Sequence, residues 1–173
     1  MEQESGRSVR PAPSAGQSVI DSLWRSAYRA AYRVARVWWR WRRPNTASAM
    51  IALWHRDRLL LVHSSYRRGW ALPGGGIRAG ESPAAAARRE AREELGLEFD
   101  PSLFSRPVVF EDNFEYRCDR MHVFEVLVAE QLSPMIDRRE IICYRLFSAE
   151  ECRGGSILSH VRRYLAARST HRK

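Results

Sequence analysis

A mixed α/β domain is the fold class this sequence predicts, and three observations predict it. Aliphatic, β-prone runs lie both before and after a central segment with helical spacing, and a further helical segment closes the chain. The apolar period shifts from three-to-four residues to strand-like runs near residue 46. Repeats are absent, and 173 residues suffice for one domain with a sizeable core.

The elements follow in order. Residues 1–16 are rich in Ser, Pro, Gly and charge and read as a disordered lead-in. Residues 17–45 carry a basic amphipathic helix. Ile20, Leu23, Trp24, Ala27, Ala31, Val34, Trp38 and Trp41 recur at helical steps, and Arg25, Arg29, Arg33, Arg36 and Arg40 follow the same spacing on another face. Pro44 and Asn45 end it. The runs "SAMIALW" and "RLLLVHS" predict a hairpin turning at "HRD". "GWALPGGG" then enters a glycine loop. Ser82 as N-cap and Pro83 at the first helical position start a helix that Gly96 stops. "RPVVFEDNFEYR" and "RMHVFEVLVAE" read as strands hinged at Cys118 and Asp119, "EIICYRLFS" as a third, and "SILSHVRRYLAAR" as the closing helix.

Composition narrows the function. The formal net charge is +9, which favours an anionic partner without choosing among phosphate ligands, nucleic acid and lipid headgroups. Lys173 is the single lysine, so the positive charge is almost all guanidinium, whose fork suits phosphate oxygens. Cys118, Cys143 and Cys152 lack metal-type spacing and read as ordinary thiols in a reducing compartment. The chain has no 18-residue apolar run and its start has no secretory h-region, so the expected location is the cytoplasm, with membrane association left open for the basic helix.

Four carboxylates behind a triple glycine hold the chemistry. On a helix beginning at Pro83, Glu90, Glu93 and Glu94 fall at i, i+3 and i+4 and share one face, while Ala84, Ala87, Ala91 and Leu95 form a stripe able to pack closely on a sheet. Clustered carboxylates repel one another unless a cation lies among them. Hard oxygen ligands that incompletely cage an ion favour Mg²⁺, with Mn²⁺ as substitute. Glycines bring backbone close to that ion and to phosphate.

Gly75, five residues, Glu81, seven residues, then Arg89-Glu90-Ala91-Arg92-Glu93-Glu94-Leu95-Gly96-Leu97 resembles the Nudix box G-x5-E-x7-R-E-U-x-E-E-x-G-U, with Ala91 a small occupant of the first aliphatic position. The resemblance implies a Nudix-type α/β/α sandwich with a mixed β-sheet over residues 46–173, preceded by the N-terminal amphipathic helix. It implies hydrolysis of a diphosphate linkage in a small nucleoside diphosphate derivative such as a nucleoside triphosphate, nucleotide sugar or dinucleoside polyphosphate. Glu90, Glu93 and Glu94 look like the metal-binding glutamates, the carbonyl of Gly74 like a further ligand, and Glu81 with Arg89 like a supporting ion pair. A family glutamate outside the box is matched best by Glu140, with Phe147 or Tyr144 as its accompanying aromatic and Glu125 as runner-up. Either Glu90 or Glu140 would accept the proton of the attacking water.

Substrate markers outside the box do not fit cleanly. Gly75, Gly76, Tyr66, Arg67, Arg68 and Trp70 are candidates to contact phosphate or base. Residues 17–43 hold seven arginines and one acid, a net of +6 within the chain's +9. Such a helix has three readings: docking on its own domain or a second subunit, lying on an anionic membrane, or gripping nucleic acid. The last would accompany removal of pyrophosphate from RNA 5′ ends. A non-catalytic nucleotide sensor is the rival from another class, and the intact glutamate set argues against it.

Overall fold

The computed structural model describes residues 17–104, 106–114, 116–129, 133–154 and 156–171; the lead-in expected over 1–16 lies outside them. Helix α1 (Gln17–Arg42) leads through Pro44 into β1 (Asn45–His55). Strand β2 (Arg58–Ser64) returns antiparallel through Arg56 and Asp57, both at positive φ (44° and 60°), the backbone of a tight I′-like hairpin turn. The glycines form a short strand, β3 (Gly74–Gly76), before α2 (Pro83–Leu95). Strands β4 (Val108–Phe114), β5 (Arg117–Leu127) and β6 (Ile141–Ser148) precede α3 (Ser159–His171).

The sheet is mixed. Its order is β4-β5-β1-β2-β6, with β5 parallel to β1 and the remaining pairs antiparallel. Strand β1 is central, and from Ser48 to His55 every residue is buried because helices cover both faces. On one edge it is shared: its end pairs with β2, while Ser48, Ala49 and Met50 pair with Gly76, Gly75 and Gly74. That pairing pins the glycine loop at the mid-sheet position where α2 starts.

Alternation along the strands builds two cores. Ile51, Leu53, Leu60, Val62, Phe124 and Val126 meet Ala86, Ala87, Ala91 and Leu95 of α2. The alternate residues Met50, Ala52, Leu59, Leu61, Met121 and Val123 meet Val161 and Tyr164 of α3. This is the expected α/β/α sandwich. Ala86, Ala87 and Ala91 are fully buried, and with no long side chain to hold it off the helix backbone lies close to the sheet; Ala84, expected in that stripe, is exposed in the first turn, and Ala86 takes its place in the core.

Two expectations change. The β4–β5 turn falls at Tyr116 (φ 69°), not at Cys118 and Asp119, which lie inside β5. Asp119 reads as a turn residue, yet it is buried and accepts hydrogen bonds from Thr46 Oγ1 (2.8 Å) and Ser48 Oγ (2.9 Å) of the adjacent strand. Helix α3 begins at Ser159, and Ile157 precedes it in a parallel bridge to Trp70.

Helix α1 docks on its own domain, but not by the stripe of Trp and aliphatic residues. Tyr28, Tyr32, Ala35 and Trp39 face inward, half-buried, whereas Ile20, Leu23, Val34, Trp38 and Trp41 are exposed. Ring contacts decide the docked face: Tyr28 stacks on Tyr66 with centroids 6.3 Å apart, and Tyr32 lies 4.9 Å from the same ring. Arg25 Nε donates to the Arg138 carbonyl (3.0 Å) and Arg29 Nε to the Ser65 carbonyl (3.1 Å).

Candidate active site

Helix α2 is built to present its carboxylates beside the glycine strand. Ser82 Oγ accepts from the Ala85 N–H, Pro83 occupies the first turn, and Gly96 closes the helix in the left-handed conformation (φ 64°). The buried alanine stripe fixes the helix's rotation. Glu90, Glu93 and Glu94 are thereby turned toward β3.

Arg89 is the hub. Its Nε and Nη2 grip both oxygens of Glu81 at 2.8 and 3.0 Å, a bidentate fork. Nη2 also reaches the Gly76 carbonyl at 3.0 Å, and Nη1 reaches Glu90 Oε1 at 2.6 Å and Glu93 Oε2 at 3.2 Å. Glu81 thus ties the loop to the helix. The Arg89 hydrogen bonds, reinforced by the Arg78 N–H, hold the Glu81 carboxyl down to about 2.

Two glycines permit close approaches, one to rigid backbone and one to a side chain. A Cβ on Gly74 would lie 2.3 Å from the Ala49 carbonyl oxygen, at a φ of 141° that disfavours side chains. A Cβ on Gly75 would lie 2.6 Å from Glu90 Oε1, so the bare backbone is what lets that carboxylate approach the loop. At Gly76 a Cβ would meet nothing within 4 Å.

The carboxylates differ in environment. Glu94 is 6% exposed and accepts from the Gly74 N–H at 2.9 Å. Burial, and then the charges of Glu140 and Glu90, push its carboxyl well above the usual range. Glu90 is raised first by burial, against the pull of Arg89. Glu93 is 44% exposed and borders a cleft of about 620 Å³ lined also by Asp21, Ile136, Asp137 and Arg139. Glu140 ends the turn just before β6 and accepts the Tyr66 hydroxyl at 2.7 Å. It borders a second cavity of about 300 Å³, walled by Tyr28, Tyr32, Trp39, Tyr66 and Arg67.

Among the described residues, no three Asp, Glu, His or Cys side chains already converge as a metal cage. The donor set nonetheless fits a hard divalent cation. Beyond burial, the Glu140 charge raises the proton affinity of both Glu90 and Glu94, and Glu90 adds to the rise at Glu94; a cation would relieve that repulsion.

Sequence-predicted residues separate into two groups. Glu81, Arg89, Glu90, Glu93, Glu94, Glu140, Gly74, Gly75, Gly76 and Tyr66 come together. Trp70 does not: its ring packs edge-on against Phe147 (5.0 Å) and His63 (5.6 Å) in the α3-side core. Arg68 is exposed, and its neighbour Arg67 is the one whose charge reaches Glu94. Glu125, the runner-up, points into the opposite layer, accepting from the Tyr164 hydroxyl (2.5 Å) and Arg168 Nε (2.8 Å). A β-strand sends neighbouring residues to opposite faces, and Glu125 alternates with the α2-facing Phe124 and Val126. Tyr28 and Tyr32 were missed, although Tyr28, Tyr32, Ala35 and Trp39 form a second helical stripe legible in the sequence.

A mixed sheet between helical layers, with a glycine strand locked to a glutamate-bearing helix, defines an α/β/α sandwich domain. The NUDIX domain model matches residues 44–165, and the chain belongs to the Nudix hydrolase family. Helix α1 lies outside that match. Mouse diphosphoinositol polyphosphate phosphohydrolase 3-alpha is 42% identical over 82 residues, covering 47% of this chain and 48% of the relative. The human 3-beta form is 40% identical over the same length and shares. The chain thus spans about half the length of the curated relatives it matches. Among solved structures, a MutT protein from Methanosarcina mazei Go1 aligns with a TM-score of 0.66 at 19% identity, covering 76% of this chain and 97% of that one. A C. elegans Ap4A hydrolase aligns at 0.62 and 15%, covering 73% and 96%. At these identities the structural likeness shows the fold.

Proposed function

We propose that this protein is a divalent-metal-dependent pyrophosphohydrolase that cleaves a diphosphate linkage in a small phosphorylated compound. A nucleoside diphosphate derivative is the leading substrate class. The observation that carries the reading is the locked unit Glu81–Arg89–Glu90 beneath Gly75, beside the repelling Glu94 and Glu140.

Glu90, Glu93, Glu94 and the Gly74 carbonyl would hold Mg²⁺ or Mn²⁺, which when bound supplies charge neutralisation at diphosphate oxygens and acidifies water. The chain's own residues do the positioning. Arg89 and Glu81 hold the loop against α2. Arg78, exposed and 3.4 Å from Glu93, suits a phosphate oxygen. Water attacks phosphorus in line, the anhydride P–O bond breaks, and a carboxylate takes the water's proton. Glu140 is assigned that role over Glu90, since Glu90 Oε1 is already bonded to Arg89 and shielded by Gly75.

A second reading takes a diphosphoinositol polyphosphate as substrate, favoured by the names of the curated relatives and by the chain's +9 charge. Phosphate release would be measured with nucleoside triphosphates, ADP-ribose, dinucleoside polyphosphates, 5′-triphosphate RNA and a diphosphoinositol polyphosphate, each with Mg²⁺ or Mn²⁺. Turnover on one class that collapses in Glu94→Gln supports the hydrolase and names its substrate. Nucleotide binding with no turnover on any of them would leave a sensor instead.

A further inference from the structure

Helix α1 has three sectors rather than two. Successive residues advance about 100° around a helix. Tyr28, Tyr32, Ala35 and Trp39 occupy the inward sector, held by the ring contacts with Tyr66 and by Arg117 over Trp39 at 4.3 Å. Arg29, Arg33, Arg36 and Arg40, all exposed, form a ladder along one flank. The outward sector carries Val19, Leu23, Val34, Val37, Trp38 and Trp41, with Val34 70% and Trp41 88% exposed. The only acid of the helix, Asp21, lies on the inward side, half-buried in the cleft beside Glu93.

We propose that the outward sector of α1 seats the protein on an anionic lipid bilayer while the inward sector stays docked on the catalytic domain. A continuous apolar strip with two tryptophans, flanked by arginines and free of acids, matches an interfacial helix whose apolar side enters the headgroup boundary. The helix is about 39 Å long, and no helix among the described residues is long and apolar enough to cross a membrane, so it lies along the surface. Charge selects the occupant. Pairing two copies through this sector would bring two +9 chains together along arginine ladders with no acid on either outward face. An anionic bilayer offers the opposite sign. The inward sector touches Tyr66, which bonds Glu140, so the site would open beside the bilayer surface.

The full chain would be sedimented with phosphatidylcholine vesicles, with and without phosphatidylglycerol, at low and high salt. Binding should require the anionic lipid, fade with salt, and weaken about fivefold for each arginine removed in Arg33→Gln and Arg36→Gln. It should be lost in Val34→Glu with Val37→Glu, whose exposed sites leave folding intact by circular dichroism. Absence of binding to anionic vesicles, or equal binding to neutral ones, overturns the proposal. So does a dimer by analytical ultracentrifugation that the same valine variant dissociates, because a second copy would then cover the sector.

Discussion

Tyr66 donates its hydroxyl hydrogen to Glu140 Oε1 at 2.7 Å, and the same ring is held from the other side by Tyr28 and Tyr32 of α1. A carboxylate on a turn is thereby restrained by a helix outside the family domain. Burial raises the Tyr66 hydroxyl's proton affinity, so it stays a donor at neutral pH. Tyr66→Phe should lower kcat about tenfold, on the scale of one hydrogen bond to a charged group, with little change in KM. The double variant Tyr28→Ala, Tyr32→Ala should move kcat the same way. An unchanged kcat in both, measured on the substrate the panel identifies, would remove α1 from the catalytic arrangement.

The three glycines should respond in different currencies. Gly74→Ala meets the rigid Ala49 carbonyl and should cost about 3 kcal/mol of stability. Gly75→Ala meets only the end of the Glu90 side chain, which can swing aside, so the protein should fold while activity falls about a hundredfold or more. Gly76→Ala should stay within about 0.5 kcal/mol of the native protein. Thermal melts beside turnover assays rank all three, and a Gly75→Ala enzyme of native activity would refute the close approach.

Acid should weaken the loop–helix tie. Glu81 is held down to about 2 in the folded protein from a usual 4.5. A depressed carboxyl contributes stability that is fully present above the unfolded value and is lost as pH falls through the folded one. Glu81→Gln lacks that contribution. Its deficit in denaturant midpoint relative to the native protein should therefore be constant above about pH 5 and shrink toward pH 2. A deficit that does not change with pH would contradict the ion pair as its source.

Trp70 should behave as core. Trp70→Ala should destabilise by about 3 kcal/mol and leave KM unaltered at temperatures where the variant is folded. A KM rise without a lower melting temperature would return Trp70 to the substrate contacts.

Much of the architecture was legible without coordinates. The hairpin at "HRD" and the cap signals Ser82, Pro83 and Gly96 reflect local energetics, because each depends on a residue's own backbone preferences. The spacing of Glu90, Glu93 and Glu94 needed only the helical repeat. Asp119 failed for the opposite reason: its hydroxyl partners come from β1, 71 and 73 residues away in sequence.

By itself the sequence determined the mixed α/β class, the α2 helix and the shared face of Glu90, Glu93 and Glu94, since these follow from periodicity and short-range stereochemistry, while the sandwich was implied by the resemblance of residues 75–97 to the Nudix box. Which downstream glutamate joins the cluster was a tertiary decision. Glu140 meets Tyr66 across 74 residues, while strand alternation sends Glu125 to Tyr164 on the far face. The rotation of α1 was tertiary as well. Its outward stripe is the more hydrophobic, and periodicity left open whether that face meets the domain, a second subunit, a membrane or nucleic acid, but Tyr66 offers a docking surface only to tyrosines whose rings reach it. Hydrophobicity along a helix shows that a face exists; only the shape of the neighbouring surface selects which face is used.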